Sequence, residues 1–395
     1  MLLSFPLLWR NAGGSSSEIE AYIQRSKSTQ LNVNLSRPEL VDLILPHTFR
    51  LVGLTVFLNE ASDIIQFIER LCDPIPTLRT FRIFATTPYL RGVRLPSDLN
   101  SPFFAHSKTL EIHGISWFYG SLTLPHVTEL TWDTNQSYLK MDDFLGTLEQ
   151  LPSLERAYIT FGGGYEVYIH AALREVTLSH VQELSLSSSS QGEQKPARFP
   201  RILEYLQLPK LEKLSVQVRP WPDVLTHSTV FPHGRFDERF PNFTRLPEMQ
   251  VDMESCEVIF RSSSPATLKY RTGVLVNYKT LEKRVWKDLP LRSVRRLTVN
   301  NISRSGPRKF EDTWLAGLLE DLYSLEALEC LELEGECDEV ILWLRDGMTQ
   351  KIRYQIQTLT IRSGEDDAHR AYLKSLADFA SLTATAIYVP GHIPG

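Results

Sequence analysis

Cysteine is scarce in this chain of 395 residues, with four copies at Cys72, Cys256, Cys330 and Cys337. No two have C-x-x-C spacing, and the nearest pair, Cys330 and Cys337, has no histidine beside it, so a metal centre is not expected. So sparse a set also argues against a disulfide scaffold and for a reducing compartment, cytoplasm or nucleus. Apolar runs near the ~20 residues of a membrane-spanning helix are missing. The apolar start, Met1 to Trp9, lacks a basic leader and carries Pro6, so it does not read as a secretory signal. The sequons at Asn34, Asn135, Asn242 and Asn301 are then without consequence. A net charge of −5 over this length is mild and argues against a dedicated nucleic-acid binder.

Catalytic constellations are lacking as well. The ten histidines are scattered and form no H-E-x-x-H. Gly162-Gly163-Gly164 is followed by Tyr165 rather than Lys-Ser/Thr, so a hairpin turn is expected and not a phosphate cradle. Gly13 to Ser17 has no strand before it, which a nucleophile elbow requires. Glu332, Glu334 and Glu336 alternate along one strand and read as a solvated or partner-facing acidic edge, with cation binding as the alternative. No catalytic residue and no cofactor site is assigned, and the chain does not read as an enzyme.

What the sequence does have is a repeat. The pattern apolar-x-x-Φ-x-Φ, with Φ a large apolar residue, occurs at Leu78/Phe81/Ile83, Val127/Leu130/Trp132, Val181/Leu184/Leu186 and Leu211/Leu214/Val216. It returns at Val294/Leu297/Val299, Leu328/Leu331/Leu333 and Ile356/Leu359/Ile361. Weaker copies lie at Leu54/Val56, Leu110/Ile112, Ala157/Ile159, Val258/Phe260 and Ile387/Val389. Most successive copies are separated by 20 to 30 residues, and two longer gaps on either side of Val258 mark an insertion. Such a period belongs to leucine-rich repeats. Φ-x-Φ is a strand of period two, and the remaining residues of each repeat return as a helix or irregular turn.

Returns that read as helices are Asp142–Leu151, Phe199–Leu208, Asp312–Leu325 and Asp366–Leu382, three of them opening on an aspartate suited to an N-cap. No single strand–helix unit buries its own apolar face, so neighbours must stack. The expected fold is α/β: a right-handed leucine-rich-repeat solenoid, or horseshoe, with a parallel sheet on its concave face.

The first forty-five residues differ in character. Pro6-Leu7-Leu8-Trp9 precedes an amphipathic helix at Ser17–Ser26, which ends in Arg25-Ser26-Lys27-Ser28. A strand Leu31/Val33/Leu35 follows, then a capping-box-like helix start at Ser36-Arg37-Pro38-Glu39. This order resembles a large family of fungal F-box-like proteins with leucine-rich repeats. The resemblance covers Phe5 to Leu45 by motif and the remainder only by repeat character. It implies that residues 1–45 form an N-terminal cap segment following an F-box. Residues 46–395 would be the solenoid, with an irregular insertion near 219–290. It also implies substrate selection for ubiquitination through a Skp-type adaptor and cullin. The F-box that should precede Pro6 does not stand in this sequence, so the expectation is a longer parent chain, the alternative being a scaffold with no ligase link.

Two stretches stand out as partner-binding candidates. The insertion holds Trp221, Phe231, Arg235, Phe236, Arg239 and Phe240, residue types that dominate interfaces, with four phenylalanines between Phe231 and Phe243. The same side chains would serve equally to tuck the insertion onto the solenoid. Beyond it, residues 261–310 hold thirteen Lys/Arg against two acids, and residues 311–346 hold twelve acids against Arg345. The two blocks would partly neutralise each other. Alternatively Arg292, Arg295 and Arg296 form a positive face for an acidic or phosphorylated protein partner.

Overall fold

A computed structural model of the chain describes residues 11–71, 73–85, 103–115, 123–134, 141–161, 174–188, 202–218, 236–252, 257–262, 265–272, 291–301, 327–335, 358–362 and 385–388. The fold is mixed α/β, with large, mostly parallel sheets and few helices, and the chain divides into two compact units, Met1–Lys210 and Leu211–Gly395.

Unit 1 contains the strands β1 (Asn11–Ala12), β2 (Leu31–Leu35), β3 (Leu51–Leu58), β4 (Thr80–Ala85), β5 (Thr109–His113), β6 (Glu129–Asp133), β7 (Arg156–Phe161), β8 (Val176–Thr177), β9 (Glu183–Ser188) and β10 (Leu206–Gln207). Its helices are α1 (Ser16–Ser26), α2 (Val41–Ile44), α3 (Ala61–Arg70) and α4 (Met141–Glu149). Strands β1 to β7 and then β9 lie side by side in sequence order, each parallel to the next. β8 and β10 form a separate parallel pair.

The register aligns the repeat to the residue. Val33, Leu54, Phe81, Leu110, Leu130, Ala157 and Leu184 form one column across β2 to β9, and Leu35, Val56, Ile83, Ile112, Trp132, Ile159 and Leu186 form a second. All of them are buried. Period-two geometry sends these columns to one face and the residues between them to the other. Burying each large apolar side chain is worth about 1.5–3 kcal/mol.

The apolar residue three places before the first Φ of β4, β6, β7 and β9 is buried too: Leu78, Val127, Leu154 and Val181. Each follows a tight turn in which its N–H donates to the carbonyl three residues back, at Ile75, Leu124, Leu151 and Leu178. The turns bond from repeat to repeat. The N–H of Arg79, Lys108, Thr128, Glu155 and Gln182 donates in turn to the carbonyl of Val52, Arg79, Lys108, Thr128 and Glu155. Backbone groups at the strand starts are thus satisfied by the neighbouring repeat.

Helices and aromatic clusters cover the apolar face. α1 starts where Ser15 donates from its backbone N–H (2.7 Å) and its hydroxyl (2.9 Å) to Glu18 Oε2, and it buries Ile19 and Ile23. These bonds hold the Glu18 carboxyl below its ordinary pKa. In α3 the carboxylate of Asp63 accepts from the N–H of Asn59 and Glu60, and Ile64 and Phe67 face inward. Phe144 of α4 packs against Trp132 with ring centroids 5.5 Å apart, and Phe103 and Phe104 pack against Phe81 at 5.0 and 4.9 Å.

Unit 2 contains β11 (Lys213–Val218), β12 (Glu248–Asp252), β13 (Glu257–Arg261), β14 (Thr267–Thr272), β15 (Arg296–Asn301), β16 (Cys330–Gly335), β17 (Thr358–Arg362) and β18 (Thr385–Tyr388), with the short helix α5 (Phe236–Arg239). Its strand order is β11-β14-β13-β12-β15-β16-β17-β18. β12 is parallel to β15 and β14 is parallel to β11, while β13 runs antiparallel to both of its neighbours.

The expected all-parallel sheet therefore needs correction within the insertion, which contributes three strands in reverse spatial order. Φ-x-Φ reads the same in both directions, so Val258-Ile259-Phe260 delivers its two apolar residues to the core face although its strand is reversed. One column runs Leu214, Leu268, Phe260, Met249, Leu297 and Leu331, each at most 1% exposed.

Further corrections concern registers and returns. The last repeat pairs Leu359 with Ala386 and Ile361 with Tyr388, one residue earlier than the expected Ile387/Val389. Between Phe199 and Leu208, where a helix was expected, the described residues form a single 3-10 turn, Ile202–Glu204, and the strand β10. The short hydrogen-bonded turn leaves room for β10 to pair with β8. The expected helices at 312–325 and 366–382, the glycine run 162–164 and the motif at 6–9 lie outside the described residues.

Candidate functional site

The face opposite the core is built from the residue between the two Φ positions of each strand and from those flanking them. In unit 1 the row beyond the second Φ reads Phe57, Phe84, His113, Asp133, Thr160 and Ser187. Phe57 and Phe84 stack with centroids 5.5 Å apart, and the His113 ring lies on Phe84 at 4.3 Å with planes 5° apart. His113 Nδ1 is 3.9 Å from Asp133. The Thr160 and Ser187 hydroxyls are hydrogen-bonded at 2.8 Å.

Charges on this face are paired from strand to strand. Arg82 bridges Glu111 at 2.7 Å and Arg156 bridges Glu129 at 3.1 Å. The bond to Glu129 raises the Arg156 pKa. Tyr158 is pushed up by burial first and then by the neighbouring Glu183 carboxylate, which accepts its hydrogen bond. Bridges this exposed are worth about 0–1 kcal/mol each, so they order the surface more than they hold the sheet.

Unit 2 repeats the arrangement with more charge. Lys269 bridges Glu257 at 2.9 Å, and Arg261 donates to Gln250 at 2.9 Å. Glu332 and Glu334 take outward places on β16, on either side of the buried Leu333, as their alternation predicted, while Glu336 lies outside the described residues. Glu332 accepts from Thr298 at 3.3 Å and stands 4.0 Å from Arg296, while Arg295 is 3.9 Å from Glu329. The opposed charge blocks thus meet across adjacent strands at Arg295 and Arg296. Both arginines remain more than half exposed, and Arg292 is exposed on the turn before them.

The insertion residues fare differently. Phe240 is fully buried and Arg239 is 6% exposed, so these two pack the insertion onto its unit and do not form an open docking surface. Phe243 is buried with them. Phe236 lies in α5, and Trp221, Phe231 and Arg235 lie outside the described residues.

The aromatic row Phe57/Phe84/His113 was not picked out from sequence. Each residue alone looks like an ordinary strand residue, and only the register shows three rings one above another. The usable signal was an aromatic residue immediately after the second Φ in two successive repeats, Val56-Phe57 and Ile83-Phe84.

Among the described residues no group of three or more His, Cys, Asp or Glu is placed to hold a metal ion. No helix among them is long and apolar enough to cross a membrane. No protein-family model matches the chain, and no curated protein matches it.

Proposed function

We propose that this chain is a leucine-rich-repeat solenoid of the F-box-like kind, and that the outward face of its strands selects a protein partner. One observation carries the reading. Equivalent residues of successive repeats stand in single columns from Val33 to Leu184, so each repeat adds one more row to an extended, polar surface. A surface assembled this way suits recognition of a macromolecule. The charged pairs of unit 2 and the exposed Arg292, Arg295 and Arg296 suit an acidic or phosphorylated segment.

The order of Pro6-Leu-Leu-Trp9, Arg25-Ser26-Lys-Ser28 and Leu31/Val33/Leu35 supports a role in presenting that partner to a cullin ubiquitin ligase in the cytoplasm or nucleus. Sequencing the transcript upstream of Met1, together with immunoprecipitation of the product of the whole open reading frame, tests this. An in-frame F-box with co-precipitated adaptor and cullin is the expected result. Absence of both leaves a stand-alone scaffold and ends the ligase reading. The double variant Arg295→Glu/Arg296→Glu tests the basic face: folding should persist, and capture of a phosphoserine peptide library should fall about tenfold. Equal capture by parent and variant would eliminate the acidic-partner assignment.

A further inference from the structure

We propose that Arg79, His106, Lys108 and His126, carried on three consecutive turns where β4, β5 and β6 begin, form a receptor for one phosphoryl group of a protein partner. The proposal rests on the interaction reading and gives it a second site, in unit 1.

The backbone sets the four residues next to one another. The N–H of Lys108 donates to the Arg79 carbonyl at 2.8 Å, and the N–H of Thr128 donates to the Lys108 carbonyl at 2.9 Å. The turns therefore lie side by side at about the 4.8 Å spacing of paired strands. His106 and Lys108 flank the fully buried Ser107, which leaves both on the open side of their turn. His126 holds the place of His106 one repeat further on, and the two imidazoles stack with centroids 5.4 Å apart and planes 28° apart. Stacking fixes the rings while each keeps a ring N–H to donate. Arg79, Lys108 and His126 are exposed and His106 is half-buried. Among the described residues none of the four makes an ion pair or a side-chain hydrogen bond.

Charge and donor count decide what these turns accept. Residues 75–79, 104–108 and 124–128 contain no Asp or Glu. Glu129, just beyond them, is held by Arg156 at 3.1 Å. Arg79 and Lys108 supply two positive charges, matching the roughly −1.5 to −2 of a phosphate monoester at pH 7. An arginine fork, an ammonium and two imidazole N–H groups exceed what the two oxygens of a carboxylate can use, and they suit the three of a phosphoryl group. The basic run is also short. The turn before β3 ends in Val52 and the turn before β7 ends in Glu155. A polyanion laid along these turns would run off the cations on one side and meet a carboxylate on the other. One phosphorylated side chain fits within those bounds, and a nucleic-acid backbone does not.

The test is to pan a phosphoserine peptide library on the full-length chain and on its Arg295→Glu/Arg296→Glu variant, which silences the basic face of unit 2. Peptides recovered on that variant are then measured by fluorescence polarisation. Their affinity should fall at least tenfold when Arg79→Gln/Lys108→Gln is added, and severalfold for His106→Asn or His126→Asn. It should also fall at least tenfold when glutamate replaces the phosphoserine. The exposed Arg79, Lys108 and His126 carry the measurement if His106→Asn melts below the assay temperature. Affinity unchanged by Arg79→Gln/Lys108→Gln, or equal for glutamate and phosphoserine peptides, would overturn the site. Recovery by the parent but not by Arg295→Glu/Arg296→Glu would remove the site and leave the interaction reading standing. Recovery by neither would count against both. Phosphatidylserine vesicles or a single-stranded oligonucleotide bound by the chain and lost on Arg79→Gln/Lys108→Gln would overturn the assignment to a protein partner.

Discussion

The guanidinium of Arg50 and the hydroxyl of Ser26 stand 2.5 Å apart, Nη2 to Oγ, although 24 positions separate them in the chain. Arg50 Nε also donates to the Thr29 carbonyl at 3.0 Å, and the Ser26 hydroxyl donates to the Ile23 carbonyl at 2.9 Å. Ser26 is fully buried at the end of α1 and Arg50 is nearly so at the start of β3. A charged donor taken out of water must keep its acceptors. Ser26→Ala removes one, and the expected loss is about 1.5–3 kcal/mol, the usual worth of a hydrogen bond to a charged group. A urea midpoint equal to the parent's would show that the contact does not stabilise the N-terminal segment.

Ser107 takes the place in its repeat that Leu78 and Val127 take in theirs, three residues before the first Φ, and its N–H makes the same turn bond, to Phe104. It is fully buried, and its hydroxyl has no hydrogen-bond partner among the described residues. Ser107→Ala should therefore stabilise the protein, by about 1 kcal/mol, because it removes a desolvated hydroxyl at little change in volume. Thermal melts read the sign directly, and a lowered melting temperature would contradict the assignment.

Leu184 and Leu331 stand in the first-Φ columns of the two units, at 2% and 1% exposure. Leu184→Asp or Leu331→Asp would place an unpaired carboxylate between apolar neighbours on adjoining strands. Each variant should lose the folded far-ultraviolet signal of its unit at room temperature. One that melts like the parent would mean that these columns are not the core.

His47 should make stability fall on the acid side. Burial first, and then the positive charge of Arg50, hold its imidazole below the ordinary histidine pKa. The unfolded chain then takes up a proton before the folded one does. The contribution is level above about pH 6.5, decreases as pH drops through the interval between the two pKa values, and is level again below the folded one. His47→Gln should flatten this part of the curve. Urea midpoints at pH 7.5 and 5.5 that shift equally in parent and variant would dismiss the role.

Much of this arrangement was legible in the repeat. The first-Φ positions 54, 81, 110, 130, 157 and 184 coincide with the column found in unit 1, because leucine-like residues at period two leave a strand one choice of buried face. The same cue slipped by one residue at Ala386/Tyr388, where an alanine holds the first position and Ile387 offered a more apolar alternative. Strand direction was not legible at β12 to β14, since a palindromic pattern says nothing of polarity. The buried Phe240 also looked like an interface residue, for burial of an aromatic in a loop depends on what the loop folds onto.

By itself the sequence determined which residues face inward, because apolar periodicity is a local property and water penalises the wrong face. Tertiary structure alone decided which outward residues become neighbours. Phe57, Phe84 and His113 come from three separate stretches of chain, and the hydrogen-bonded register of the strands, set by the buried columns beneath, is what brings their rings together.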